Sequence, residues 1–120
     1  MANYTSIDLM AAREYIADNL PQGELLAQLA EESAELTHAA LKLRRVIEAR
    51  NYTPVDLPLA MQNIIEEIAD VWLLIQMLEL DKYHEEIRAM MAYKITRWEK
   101  RLRGNEPDDA LERSNDEVRQ

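Results

Sequence analysis

Two couples of carboxylates with equal spacing stand out in the chain: Glu32 with Glu35, and Glu67 with Asp70. On a helical wheel of about 100° per residue with Leu29 at zero, Leu36, Ala40, Leu43 and Ile47 fall within roughly 40° of the origin. Glu32 then falls at about −60° and Glu35 at about −120°. With Ile64 at zero, Ile68, Val71, Ile75 and Leu78 form the same kind of stripe, and Glu67 and Asp70 take the same two offsets, about −60° and −120°. If the two helices pack antiparallel with their stripes facing, a two-fold operation relates the couples, and four carboxylates converge at one edge of the interface. Glu31 and Glu66 point away. Converging carboxylates repel unless protonated or neutralised. Hard oxygen donors without cysteine suit Mg²⁺, or Mn²⁺ in its place. Such an ion clamps phosphate oxygens and activates water, which is the chemistry of phosphoanhydride hydrolysis. Either couple alone is an ordinary feature of a solvated helix face; the matched offsets on two helices point to a site.

The elements that must position these groups are helical. Residues 6–20 predict a first helix, with Ser6 as N-cap and a stripe of Ile7, Met10, Ala11, Tyr15 and Ile16. Pro21 and Gly23 interrupt it. A second helix is expected over 24–50, and Arg44, Arg45 and Arg50 in its tail suit the negative end of the helix dipole. After a turn in which Thr53 or Asp56 caps and Pro54 or Pro58 enters the first turn, a third helix is expected over 59–80. From Ile68 onward it is apolar on nearly every face, interrupted only by Asp70 and Gln76, which predicts burial all round. Asp70 is then a buried carboxylate. No Lys or Arg lies between Ala60 and Asp81, so its compensating charge must come from elsewhere, and we read a metal ion. A fourth helix over 82–103 is capped by Asp81, striped by Ile87, Met91, Ile95, Trp98 and Leu102, and ended by Gly104. The expectation is an all-α, four-helix-bundle protomer spanning 1–104, buried further in a homodimer or homotetramer. Residues 105–120, rich in acids, are expected to form a mobile tail.

Composition narrows the partners. The chain has 120 residues, 48% of them hydrophobic, with 2 Gly, 4 Pro and no Cys. No disulfide or thiolate site is possible. The formal charge of −9 argues against a nucleic-acid binder, which needs a basic surface. No apolar run is long enough for a bilayer, and no basic-then-apolar leader opens the sequence. A soluble, cytoplasmic protein is expected.

Leu29-Ala-Glu-Glu-Ser-Ala-Glu-Leu36, followed by Ile65-Glu-Glu-Ile-Ala-Asp-Val-Trp72, resembles the signature of the MazG-type all-α nucleoside triphosphate pyrophosphohydrolases, EExxE and then ExxD. The likeness covers roughly residues 6–103. It implies that Glu32, Glu35, Glu67 and Asp70 hold Mg²⁺. It also implies cleavage between the α- and β-phosphates, giving a nucleoside monophosphate and pyrophosphate, and assembly as dimers or tetramers. The stretch between Glu35 and Glu67 is on the long side, which leaves substrate choice open.

On the fourth helix, Lys94, Arg97 and Arg101 lie on one flank of the stripe. The resemblance implies that they neutralise triphosphate oxygens; the plain alternative is a solvated face that complements the helix dipole. Lys42 is a weaker candidate of the same kind. Trp72, Trp98 and Tyr93 offer stacking surfaces, although such aromatics more often belong to cores and interfaces. Glu35 and His38 have the Glu-x-x-His spacing of di-iron bundles, but His38 lies opposite the stripe and the second such motif is missing. The rival to an enzyme is a non-catalytic helical assembly or regulatory module whose acids bind a basic partner.

Overall fold

The computed structural model describes residues 6–49 and 56–104. The expected acidic tail and the turn at Thr53 and Pro54 lie outside the described residues. The order is α1 (Ser6–Asn19), α2 (Gln22–Glu48), α3 (Leu57–Met77), a 3₁₀ turn (Leu80–Tyr83) and α4 (His84–Leu102). Among the described residues there is no strand, so the all-α class stands. None of the helices is long and apolar enough to cross a membrane.

Local chemistry explains the helix ends. Pro21 occupies the N-cap position of α2 at φ −59°, and its carbonyl accepts from Glu24 N at 3.0 Å and Leu25 N at 3.2 Å. Gly23, expected to break the chain, therefore sits inside the first turn of α2. That helix stops where Ala49 turns left-handed, φ 51°, with its N–H bonded back to the Arg45 carbonyl. Asp56 caps α3: its Oδ1 accepts from Leu59 N at 3.0 Å, and Pro58 occupies the first turn, where a missing N–H costs nothing. Asp81 does not cap α4 as expected. It lies in the 3₁₀ turn, and Tyr83 holds the N-cap position without a side-chain bond. Gly104 adopts φ 81° just beyond α4, the left-handed end that glycine permits.

The chain divides into two units between Lys82 and Tyr83. In the first, α2 packs along α3 and α1 makes a smaller contact with α3. The α2–α3 pair is antiparallel. Leu25, early in α2, clusters with Leu74 and Leu78, late in α3, whereas Glu32 meets Glu67 and Asp70 further back along α3. The inward positions follow a heptad row on each helix. Leu25, Leu29, Glu32, Leu36, Ala39, Leu43 and Val46 are buried or half-buried on α2, as are Ala60, Ile64, Glu67, Val71, Leu74 and Leu78 on α3. Alternating three- and four-residue steps are the spacing of a coiled-coil seam. Arg13 of α1 donates from Nη1 to Gln76 Oε1 at 2.9 Å, which satisfies one of the two polar residues in the apolar part of α3.

The expected burial of α3 on every face is not met within the chain. Its seam with α2 runs through Ala60, Glu67, Leu74 and Leu78, to one side of the apolar stripe. The other side is left open, with Ile65 58%, Ile68 48% and Trp72 60% exposed.

The second unit is described through α4. Its apolar stripe, Ile87, Met91, Ile95, Trp98 and Leu102, is exposed. Tyr93 and Arg97 are half-buried, and the Arg97 guanidinium carbon stands 5.8 Å from the centre of the Tyr93 ring, a cation–π distance. Glu99 and Arg103 pair at 3.7 Å.

Candidate metal centre

Glu32, Glu67 and Asp70 each offer a carboxylate oxygen, and these oxygens lie within 4.8 Å of one another. The heptad rows explain why. Glu32 lies seven residues from buried Leu25 and from buried Ala39, so it takes a seam position on α2. Glu67 stands likewise between Ala60 and Leu74 on α3. An antiparallel pairing that sets Leu25 against Leu74 and Leu78 brings Glu32 level with the stretch from Glu67 to Asp70. The acids thus enter the seam itself, where an edge position was expected, and both glutamates are half-buried.

Asp70 corrects the sequence reading in the opposite sense: it is exposed. It sits about 60° further round α3 than Glu67, beyond the rim of the α2 contact, and no element of its own unit covers it. Glu35 is exposed as well and is not one of the three clustered acids. One turn beyond Glu32 on the open side of α2, it stands beside the cluster rather than in it. Glu31, Glu66 and His38 are all exposed, and His38 contributes no ligand to the cluster.

The electrostatics of the cluster are unfavourable without a cation. Partial burial first, then the charge of Asp70, then Glu67, hold the Glu32 carboxyl above its ordinary range. Glu67 Oε2 is fully enclosed and has no hydrogen-bond partner. A buried acceptor left unpaired is unfavourable by about 1–3 kcal/mol. Among the described residues no Lys, Arg or His forms an ion pair with any of the three. The donor set, carboxylate oxygens only, suits a hard divalent cation such as Mg²⁺ or Mn²⁺. Three protein oxygens leave the remaining octahedral positions to water or phosphate oxygens. The residues present therefore fit the group.

The other candidates lie apart in the description. Lys94 and Arg101 are exposed on α4, and Arg97 stacks on Tyr93 of its own helix. Lys42 is half-buried on α2. Trp72 and Trp98 are exposed. Arg13 was not foreseen; Gln76, a lone amide in an apolar helix, was the signal that some donor would reach it.

Compared with family models, with curated proteins and with solved structures, the chain matches none.

Proposed function

We propose that the protein is a Mg²⁺-dependent nucleoside triphosphate pyrophosphohydrolase of the MazG-like kind, cleaving the α–β phosphoanhydride of (d)NTPs to a monophosphate and pyrophosphate. One observation carries the reading: three carboxylates, one with an orphaned enclosed oxygen, meet in the seam of an antiparallel helix pair. A fold gains nothing from this arrangement unless a cation is to be held there. Glu32, Glu67 and Asp70 are the proposed ligands, and Glu35, one turn from Glu32, is proposed to join them when substrate is present. When bound, the divalent ion supplies charge neutralisation at the phosphates and makes water a better nucleophile. The half-buried glutamates fix the ligand geometry from two helices. Exposed Asp70 faces solvent, where it can accept a proton from an attacking water. Lys94, Arg97 and Arg101 are proposed contacts for triphosphate oxygens. The proposed assembly is a homodimer or homotetramer of four-helix protomers in the cytoplasm.

Incubation with a panel of dNTPs and Mg²⁺, scored for pyrophosphate, tests the reading. Pyrophosphate and monophosphate in equal amounts support it. Orthophosphate alone, or no turnover across the panel, overturns it.

The exposed apolar stripes of α3 and α4 favour a second reading, a helical assembly module whose acids bind a basic partner. It predicts no pyrophosphate release and no change in melting temperature with millimolar Mg²⁺ or Mn²⁺.

A further inference from the structure

We propose that the open flank of α3 is a self-complementary surface on which a second copy of this chain packs, antiparallel, α3 against α3. This inference concerns a different face from the acidic cluster and does not rest on the hydrolase reading.

Met61, Ile65, Ile68 and Trp72 are all exposed, between 41% and 60%. With Ile64 at the origin of the wheel, they fall between about +40° and +100°. They form one stripe on the flank opposite Glu67 and Asp70. Their steps of four, three and four residues are the heptad spacing of a helix–helix seam. These steps also read the same from either end. A two-fold axis passing between Ile65 and Ile68 therefore sets Met61 against the partner's Trp72, and Ile65 against the partner's Ile68. An isologous dimer requires such self-complementarity.

Charge argues for the same occupant. The stripe holds no ionisable side chain, and no Lys or Arg lies between Ala60 and Asp81. A charged peptide or a nucleic acid would find nothing to pair with. A second copy brings an equally uncharged stripe, and the two-fold leaves both acidic clusters on the outer flanks. The area agrees too. Four large side chains about half exposed present on the order of 400 Å² of apolar surface, at the upper end for the largest patch on a monomer. Interfaces are about 56–65% apolar. With its polar rim this patch reaches on the order of 700 Å² per partner, close to the roughly 800 Å² of a standard interface.

The test uses the full chain and its lack of native cysteine. Sedimentation and light scattering should give a dimer for the parent protein. Ile65→Asp and Ile68→Asp should each weaken it at least 100-fold while circular dichroism keeps its helical signal. Met61→Cys with Trp72→Cys in one chain should oxidise to a covalent dimer. Neither single cysteine should do so, because like positions lie about 16 Å apart along the paired axes. A parent protein that stays monomeric at millimolar concentration overturns the proposal. So does a dimer that survives Ile68→Asp, or one in which the double-cysteine variant fails to cross-link. The last two results assign the contact to another face, such as the stripe of α4.

Discussion

Glu32 and Glu67 hold equivalent places in two heptad rows. Each stands seven residues from buried apolar neighbours on both sides, Leu25 and Ala39 in one case, Ala60 and Leu74 in the other. Their carboxylates, with that of Asp70, come within 4.8 Å. A seam position normally carries an apolar side chain. Two acids facing each other there weaken the helix pair in the absence of a cation, and the consequences are measurable.

Mg²⁺ or Mn²⁺ should raise the melting temperature of the protein. At one hundred times its dissociation constant, a ligand of the native state adds about 2.7 kcal/mol. Glu67→Gln should keep the helical spectrum, lose most of that rise, and lower kcat on the order of 100-fold, the scale for losing one preorganised charge contact. Full turnover in this variant would show that Glu67 is not a ligand. The rise should also shrink as pH falls, because carboxylates must be ionised to bind metal.

In metal-free buffer, stability should fall with rising pH. Burial and the Asp70 charge raise the Glu32 carboxyl above its ordinary value, so the folded chain keeps this proton where the unfolded chain has released it. The contribution is fully present below the ordinary glutamate value of about 4.3. It is lost as pH climbs through the raised value. Denaturation midpoints taken from about pH 4 to about pH 7 should show Glu32→Gln matching the parent at the acidic end and exceeding it at the neutral end. Parallel profiles would count against the shift.

Glu67→Leu should make the metal-free protein more stable, by about 1 kcal/mol, since a half-buried apolar side chain would replace a half-buried carboxylate. The same variant should lose its thermal response to Mg²⁺. Stability and metal binding would thus change in opposite directions, as expected where function occupies a core position. A less stable variant would mean that the seam is already adapted to the acid.

Asp56→Ala should lower stability by about 1 kcal/mol through loss of the bond to Leu59 N. Arg13→Ala should leave Gln76 without its donor and speed amide exchange in α1 ahead of α2 and α3. Exchange that rises equally in all three helices would show that α1 unfolds only with its neighbours.

Much of this was legible in the residues. The helical class follows from periodicity, the Asp56 cap and the Gly104 end from residue type, and the antiparallel pairing of the two acidic helices from their matched stripes. The 100° wheel misled in one respect. It centred the third helix on Ile64, Ile68, Val71 and Ile75, and so placed Glu67 at an edge. The heptad row through Ala60, Glu67 and Leu74 shifts the seam toward the acids, and alanines at Ala39 and Ala60 signal that shift only once the partner is known. Asp70 was misjudged for a related reason. Apolar neighbours along the sequence do not bury a residue when the covering surface lies outside the helix's own unit. Asp81 failed as a cap because the left-handed turn at Glu79, φ 57°, starts a 3₁₀ segment that uses up the linker.

The acids of the seam divide the α2–α3 pair into two greasy halves, one built on Leu25, Leu74 and Leu78, the other on the small residues Ala39 and Ala60. Without a cation the middle behaves as a weak rung in a ladder, where strands of contact part most readily. Loading the ion would fasten that rung, so occupancy of the site and stiffness of the hairpin become one quantity read from two sides.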